Sequence, residues 1–215
     1  MIASNATILI IGLTGSIGMG KSTAAQRLKE LGLPVFDADA AVHALYMGAA
    51  VAPIEAKFPG VVRDGTINRS ALAAQLLADP SRFKCLERIV HPLVQAAERE
   101  FLRAAAERGD KIAVLEIPLL FETGGDRTVD VTLVVSTTPQ LQRDRVLARP
   151  GMTEEKLAGI LARQLPDAEK RARADYVVDT SATLAETRAG IDKIINQLHG
   201  RTGTAFTRHW AQHDP

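Results

Sequence analysis

Residues 7–23 read TILIIGLTGSIGMGKST, a run of branched apolar side chains that breaks into a glycine-rich turn and then into residues fit to start a helix. A continuous apolar run bounded by such a turn is how a parallel strand buried on both faces reads, so a first strand is expected over residues 7–13. Residues 22–31 then supply good helix formers, with Ala25, Leu28 and Leu31 at helical spacing and Gly32 as a stop signal. Val35 and Phe36 open a second short strand that runs into Asp37, Ala38 and Asp39. A strand, loop, helix and strand in this order begin an α/β sheet whose ligands bind beyond the carboxyl ends of the strands.

Working outward, residues 40–108 are mainly helical, punctuated at Pro53, Pro59-Gly60, Asp64-Gly65, Asp79-Pro80 and His91-Pro92. Strands are expected again at 112–117 and 131–135, both short, branched and apolar. Residues 140–173 are strongly charged and helical, interrupted at Pro150-Gly151 and Pro166-Asp167, which predicts a mobile flap rather than a core element. A last strand at 176–178 and a closing helix at 184–198 complete the core, and the polar stretch beyond Gly200 predicts a frayed tail.

The chain has 215 residues, 46% of them hydrophobic and 24% charged, which suits one elaborated core with a substantial apolar interior. Its 26 basic and 25 acidic residues give a net charge of +1, so no global positive field points to nucleic acid or a membrane surface as partner. The single cysteine, Cys85, cannot form an internal disulfide and reads as a small core residue near Leu86 and Ile89. No stretch reads as a secretory signal or approaches the roughly 20 apolar residues of a membrane span, so a cytoplasmic protein is expected.

Gly15-Ser16-Ile17-Gly18-Met19-Gly20-Lys21-Ser22 matches the G-x-x-x-x-G-K-[ST] phosphate loop in full, between a predicted strand and a predicted helix as that motif requires. The glycines let the backbone wrap around phosphate oxygens, and the amides at the helix start, extended by Thr23, point at the same anion. Lys21 would meet the β- and γ-phosphates and the Ser22 hydroxyl would ligate Mg²⁺. The expected fold class is therefore α/β: a P-loop kinase core with a parallel sheet of about five strands flanked by helices, a helical insertion and a helical lid.

No N-K-x-D guanine-reading sequence occurs, so the reading turns from GTPases to kinases, which need an oriented acceptor hydroxyl, a metal and cationic groups. Asp39 is the candidate base for the hydroxyl proton and Asp37 a supporting residue, through a metal-bound water; alternation along an extended chain would put both carboxylates on one side. The alternative is that the pair caps the following helix. Arg145 and Arg149, four apart, would share a helix face and close over the phosphates, with Arg143 and Arg163 nearby; the alternative is a solvated face.

These elements together resemble the dephospho-coenzyme A kinase family over residues 8–198. The phosphate loop is similar within the longer stretch Gly12-Leu13-Thr14-Gly15 through Thr23, and Asp37-Ala38-Asp39 matches the family's acidic tripeptide. Further matches are Ile67-Asn68-Arg69 with Leu72, His91-Pro92, Ile117-Pro118-Leu119-Leu120-Phe121-Glu122, then Gln142, Arg145, Arg149 and Gln164, and Ala174-Asp175. The resemblance implies transfer of the ATP γ-phosphate to the ribose 3′-hydroxyl of dephospho-CoA with Mg²⁺. It implies a nucleotide-binding core of residues 6–45, 110–138 and 176–199, an acceptor-binding region at 46–109, a lid at 139–175 and a tail at 200–215. It also implies acceptor contacts from Asp39, Asn68, Arg69, His91, Pro118 and Leu119. Bland readings stand beside these: Asn68-Arg69 as a turn and helix start, His91 as a helix-terminal residue satisfying backbone groups. The chain departs from the family's Asn-x-Gly at Thr180-Ser181-Ala182. Shikimate-, gluconate- and nucleotide-type kinases are the alternative, although the G-E-x-x-F-R segment and glycine triplet of shikimate-type kinases are missing from the sequence.

Overall fold

The computed structural model describes residues 8–211. Two compact units emerge, one formed by the chain up to Phe36 and from Leu102 onward, the other by Asp37–Phe101.

The first unit is built on a five-stranded sheet in the order β2-β5-β1-β6-β7, with β1 (Leu9–Thr14), β2 (Val35–Asp37), β5 (Ile112–Glu116), β6 (Val131–Ser136) and β7 (Tyr176–Asp179). The pairings of β1 with β5, β1 with β6 and β6 with β7 are parallel. Leu13 stands beside Glu116 and Thr14 beside Val134, so β1 and β5 end within one residue of each other and β6 runs two residues further. One face packs Leu9, Ile11, Leu13 and Val135 against Ala24 and Leu28 of α1 (Lys21–Glu30) and Ile191 and Ile195 of α9 (Leu184–Leu198). Arg27 ties the two helices through paired bonds of 2.8 and 2.7 Å to Asp192. On the other face Ile10, Ala113, Leu115 and Val134 are fully buried, which is why these strands read as unbroken apolar runs rather than alternating ones.

The second unit holds α2 (Ala38–Leu45), α3 (Val51–Lys57), a hairpin of β3 (Val62–Arg63) and β4 (Thr66–Ile67), α4 (Arg69–Ala78) and most of α5 (Phe83–Arg108). Its own core gathers Tyr46, Ile54, Phe58, Val61, Ile67, Leu72, Leu76 and Val90, with Cys85 packed against them. The hairpin replaces the break expected at Asp64-Gly65. Both turn residues have positive φ, 49° and 73°, the signature of a tight hairpin turn, but strands of two residues leave no periodicity to detect. Nor does His91-Pro92 end a helix: α5 runs 26 residues straight through Pro92. Leu86, Ile89, Val90, Leu93 and Val94 pack into the core on both sides of the proline, and that burial outweighs one lost backbone bond.

Two further expectations are corrected in the first unit. Residues 201–211 are docked rather than frayed, the rest of the expected tail lying outside the described residues: Asp130 Oδ1 accepts from Thr204 N and Ala205 N at 2.6 and 2.8 Å, Trp210 Nε1 donates to Thr128 O at 2.8 Å, and Phe206 and Trp210 are buried. The charged segment of α6 (Pro139–Leu147), α7 (Glu154–Leu161) and α8 (Asp167–Arg173) is packed at both ends, because Gln142, Val146 and Lys170 point inward.

Glu98 on α5 is 6% exposed, and burial pushes its carboxyl up from 4.5 to about 7. The folded state therefore holds a proton that the unfolded chain has already released, and this contribution, roughly 3 kcal/mol, is present at low pH and lost as pH rises through the window from about 4.5 to 7. In calorimetry, the Tm should fall between about pH 5 and pH 8, and Glu98→Gln should flatten that slope; an unchanged slope would remove Glu98 as its source.

Candidate active site

The turn after β1 is shaped by contacts that admit only glycine. A Cβ on Gly15 would come within 2.8 Å of Val135 O, and Gly20, at φ 91°, has the Thr180 side chain 3.1–3.3 Å from where its Cβ would stand. Gly20 is also the N-cap of α1, which has no capping side chain and no acidic residue in its first turn. The first amides of a helix have no intrahelical partner, so those of Lys21, Ser22 and Thr23 are left to face an anion, with the helix dipole adding to the attraction.

Lys21 Nζ sits 2.9 Å from Oε1 of Glu116, the last residue of β5, with the two side chains 17% and 7% exposed. Glu116 escaped the sequence reading. Its signal was a lone carboxylate closing an apolar strand, at the edge where ligands bind. Ser22 is exposed at the head of α1. The Ser22 hydroxyl and the Glu116 carboxylate are hard oxygen donors of the kind Mg²⁺ takes alongside phosphate, so the residues present fit that ion.

Thr180 is the second residue that sequence reasoning undervalued, since it was noted only as a departure. Its hydroxyl, in a residue 4% exposed, donates to Met19 O at 2.8 Å and accepts from Arg145 Nη1 at 3.1 Å, while Arg145 Nη2 donates to Thr180 O at 2.7 Å. Hydrogen bonds from Ser181 hold the neighbouring Asp179 carboxyl below its ordinary range and fix the turn that presents Thr180. Arg145 is thus docked beside the phosphate loop. Arg149 does not share its helix face as expected, because α6 ends at Leu147 with Ala148 as C-cap, and Arg149 falls in the turn beyond. Arg143 is exposed and pairs with Glu154.

Beside the loop a cleft of about 680 Å³ is lined by Ser16, Thr137, Gln142, Gln164, Asp167 and Arg171 among others. Thr137 Oγ1 and Asp167 Oδ1 are buried without a protein partner, so the cleft suits water or polar ligand atoms. Pro118 follows β5 and accepts from Thr14 Oγ1 at 3.2 Å, and Leu119 next to it is 36% exposed.

The loop, Glu116, Pro118, Leu119 and Arg145 all belong to the first unit, whereas Asp37, Asp39, Asn68, Arg69 and His91 belong to the second. The expected alternation of Asp37 and Asp39 does not occur. Asp37 ends β2 and caps α2, its Oδ1 accepting from Ala40 N at 2.9 Å, so the chain is helical from Ala38 and Asp39 lies exposed in the first helical turn. Asn68 is the N-cap of α4, accepting from Ala71 N at 3.0 Å, and Arg69 lies 5.9 Å from the Tyr46 ring centroid. His91 is exposed in mid-helix rather than at a helix end.

The family model for dephospho-CoA kinase matches residues 9–186. A dephospho-CoA kinase of Mesorhizobium japonicum is 53% identical over 197 residues, covering 92% of this chain and all of that one. One of Rhizobium meliloti is 56% identical over 191 residues, covering 89% of this chain and 98% of the relative. The solved dephospho-CoA kinase of Campylobacter jejuni superposes with a TM-score of 0.68 at 25% identity, over 88% of this chain and 96% of that one.

Thr180→Val keeps the shape and deletes the hydroxyl, leaving Met19 O and Arg145 Nη1 without their partner. The KM for ATP should rise roughly tenfold, with Thr180→Ser within about twofold of the parent, the range expected for a lost buried bond to a charged group. Steady-state kinetics at fixed acceptor would read this, and a silent Thr180→Val would show the hydroxyl to be dispensable.

Proposed function

The chain belongs to the dephospho-CoA kinase family, and from that premise we infer how its own residues carry the reaction. It transfers the γ-phosphate of ATP to the ribose 3′-hydroxyl of dephospho-CoA, giving coenzyme A and ADP. The observation that carries the residue assignment is Lys21, held at 2.9 Å by Glu116 at the mouth of an uncapped helix start. A lysine kept there by a carboxylate is in place before the phosphates arrive.

The backbone of residues 15–23 cradles the phosphates, with Lys21 meeting the β- and γ-oxygens and Arg145 and Arg149 supplying further positive charge. Bound Mg²⁺, held by the Ser22 hydroxyl and the Glu116 carboxylate with Asp37 supporting through water, would neutralise charge on the β- and γ-phosphates. Asp39 orients the 3′-hydroxyl and accepts its proton as the new oxygen–phosphorus bond forms and the bond to the β-phosphate oxygen breaks. Residues 46–109, with Asn68, Arg69 and His91, form the acceptor-binding region, joined by Pro118 and Leu119. Residues 139–175 act as the lid. Among the described residues no helix is long and apolar enough to cross a membrane; together with the lone cysteine and the near-neutral charge, this supports a cytoplasmic enzyme.

A coupled ADP-release assay with ATP and Mg²⁺ should show turnover of dephospho-CoA and not of shikimate, gluconate or AMP, with phosphorus spectroscopy placing the new phosphate at the 3′ position. Preference for another of these acceptors would sink the acceptor assignment. Lys21→Ala and Asp39→Asn should each lower kcat by at least ~10²-fold through loss of electrostatic or acid–base assistance. Either variant with a near-normal rate would lose its place in the mechanism.

A further inference from the structure

Ile17 stands at the crest of the phosphate loop, and both polar groups of its backbone are taken by glutamines from outside the loop. Gln142 of α6 donates from Nε2 to Ile17 O at 2.8 Å, and Gln164, in the turn between α7 and α8, accepts from Ile17 N at Oε1 over 3.1 Å. A carbonyl only accepts and an N–H only donates, so each glutamine presents the one end of its amide that can bond.

Both arms are fixed from behind. Gln142 is 7% exposed, and α6 sits so close to the loop that a Cβ on Gly18 would come 3.0 Å from Gln142 O. Behind Gln164, Leu165 N donates to Glu122 Oε1 at 2.8 Å, and that same oxygen lies 2.9 Å from Nζ of the wholly buried Lys170, an ion contact rather than a directed hydrogen bond. Removing either member of a buried pair strands the other's charge, so α8 and the Gln164 turn are held against the loop that carries Glu122. Ser136 Oγ to Asp167 at 2.7 Å and Arg173 to Asp126 at 2.8 Å hold the same helix at its two ends.

We propose that Gln142 and Gln164 are positioning residues for phosphoryl transfer: they hold the two peptide groups that flank the Ile17 Cα, one through its N–H and the other through its carbonyl, and keep the phosphate loop in its receiving shape before nucleotide arrives, with the Lys170–Glu122 pair anchoring the Gln164 arm. This rests on the reading of the loop as the ATP phosphate cradle. Three glycines within six residues give the loop a wide range of backbone conformations. An unclamped crest would be ordered at the expense of ATP affinity, whereas two successive peptide planes fixed on either side of Ile17 keep the neighbouring amides aimed. Neither glutamine need touch a reacting atom; both act through Ile17.

The test compares Gln142→Leu, Gln164→Leu, their double variant, Gln164→Glu and Gln142→Glu. Amide hydrogen exchange over residues 12–23 is measured without nucleotide, Mg·ATP affinity by direct titration, and KM for each substrate by steady-state kinetics. Each leucine variant should speed exchange of the loop and weaken Mg·ATP binding by roughly tenfold, with the KM for dephospho-CoA within about twofold of the parent. The double variant should be no more than about twofold worse than the worse single one, because both restrain the φ and ψ of one residue, Ile17. Gln164→Glu keeps an acceptor for Ile17 N and should retain slow exchange, while Gln142→Glu has no donor and should behave like Gln142→Leu. Loop exchange and ATP affinity unchanged in both leucine variants, losses that multiply in the double variant, or equally fast exchange in Gln164→Glu and Gln164→Leu would each overturn the proposal. Titration of Mg·ATP needs no acceptor, so failure to phosphorylate dephospho-CoA would count against the acceptor assignment and leave the clamp fully testable.

Discussion

A loop that offers its amides to an anion cannot spend them on its own backbone, so it must be held in shape from outside. Helices and strands satisfy themselves; this segment does not, and the nearby architecture makes up the difference. The carboxyl ends of the paired strands β1, β5 and β6 give it a rigid shelf. The Thr180 hydroxyl holds Met19 O, Thr137 N meets Met19 Sδ at 3.2 Å, and two glutamines hold Ile17. What stays open is the start of α1, which is where a phosphate is wanted. Each restraint is modest by itself, about 1 kcal/mol for a typical hydrogen bond, but together they define one conformation for a segment whose glycines would otherwise permit many.

The same pairing chemistry serves two ends in this unit. Lys21 and Glu116 form a partly accessible pair at the mouth of the sheet, and Lys170 and Glu122 a buried one behind the glutamine turn. The Lys21 side chain is 17% exposed, so its contact with Glu116 can be reached from the open edge of the sheet. Lys170 has no such freedom: at 0% exposure, it cannot leave Glu122 without stranding a partner in a low-dielectric interior. One pair is accessible and the other is closed off. Glu122, which follows the Pro-Leu-Leu-Phe run, therefore works as a fastening for α8.

What the sequence made legible follows the range of the interactions that decide each feature. Buried strands announce themselves in their own residues: the expected strands at 112–117 and 131–135 fall on β5 and β6, and the closing helix expected at 184–198 is α9. The glycines and lysine of the phosphate loop are equally local. The residues that were named without their roles being read depend on partners far along the chain. Thr180 matters because it reaches Met19, 161 positions away, and Gln164 because it reaches Ile17, 147 positions away. Charge-rich composition between 140 and 173 suggested a solvated flap, yet composition cannot show that Lys170 and Gln142 turn inward. A polar tail likewise hides two aromatic anchors, Phe206 and Trp210, whose docking needs the Asp130 carboxylate and the Thr128 carbonyl to be seen.

The acidic tripeptide shows how local structure separates residues that look equivalent on paper. Asp37 and Asp39 are the same side chain two positions apart, but the first has committed an oxygen to Ala40 N as the cap of α2, and the second has no partner among the described residues. A capping bond of this kind is worth about 1 kcal/mol to the helix start it serves, so the Asp37 carboxylate is tied to the fold. The difference between a committed carboxylate and an uncommitted one thus follows from where the strand stops, and it stops at Asp37 because Asp37 caps what comes next.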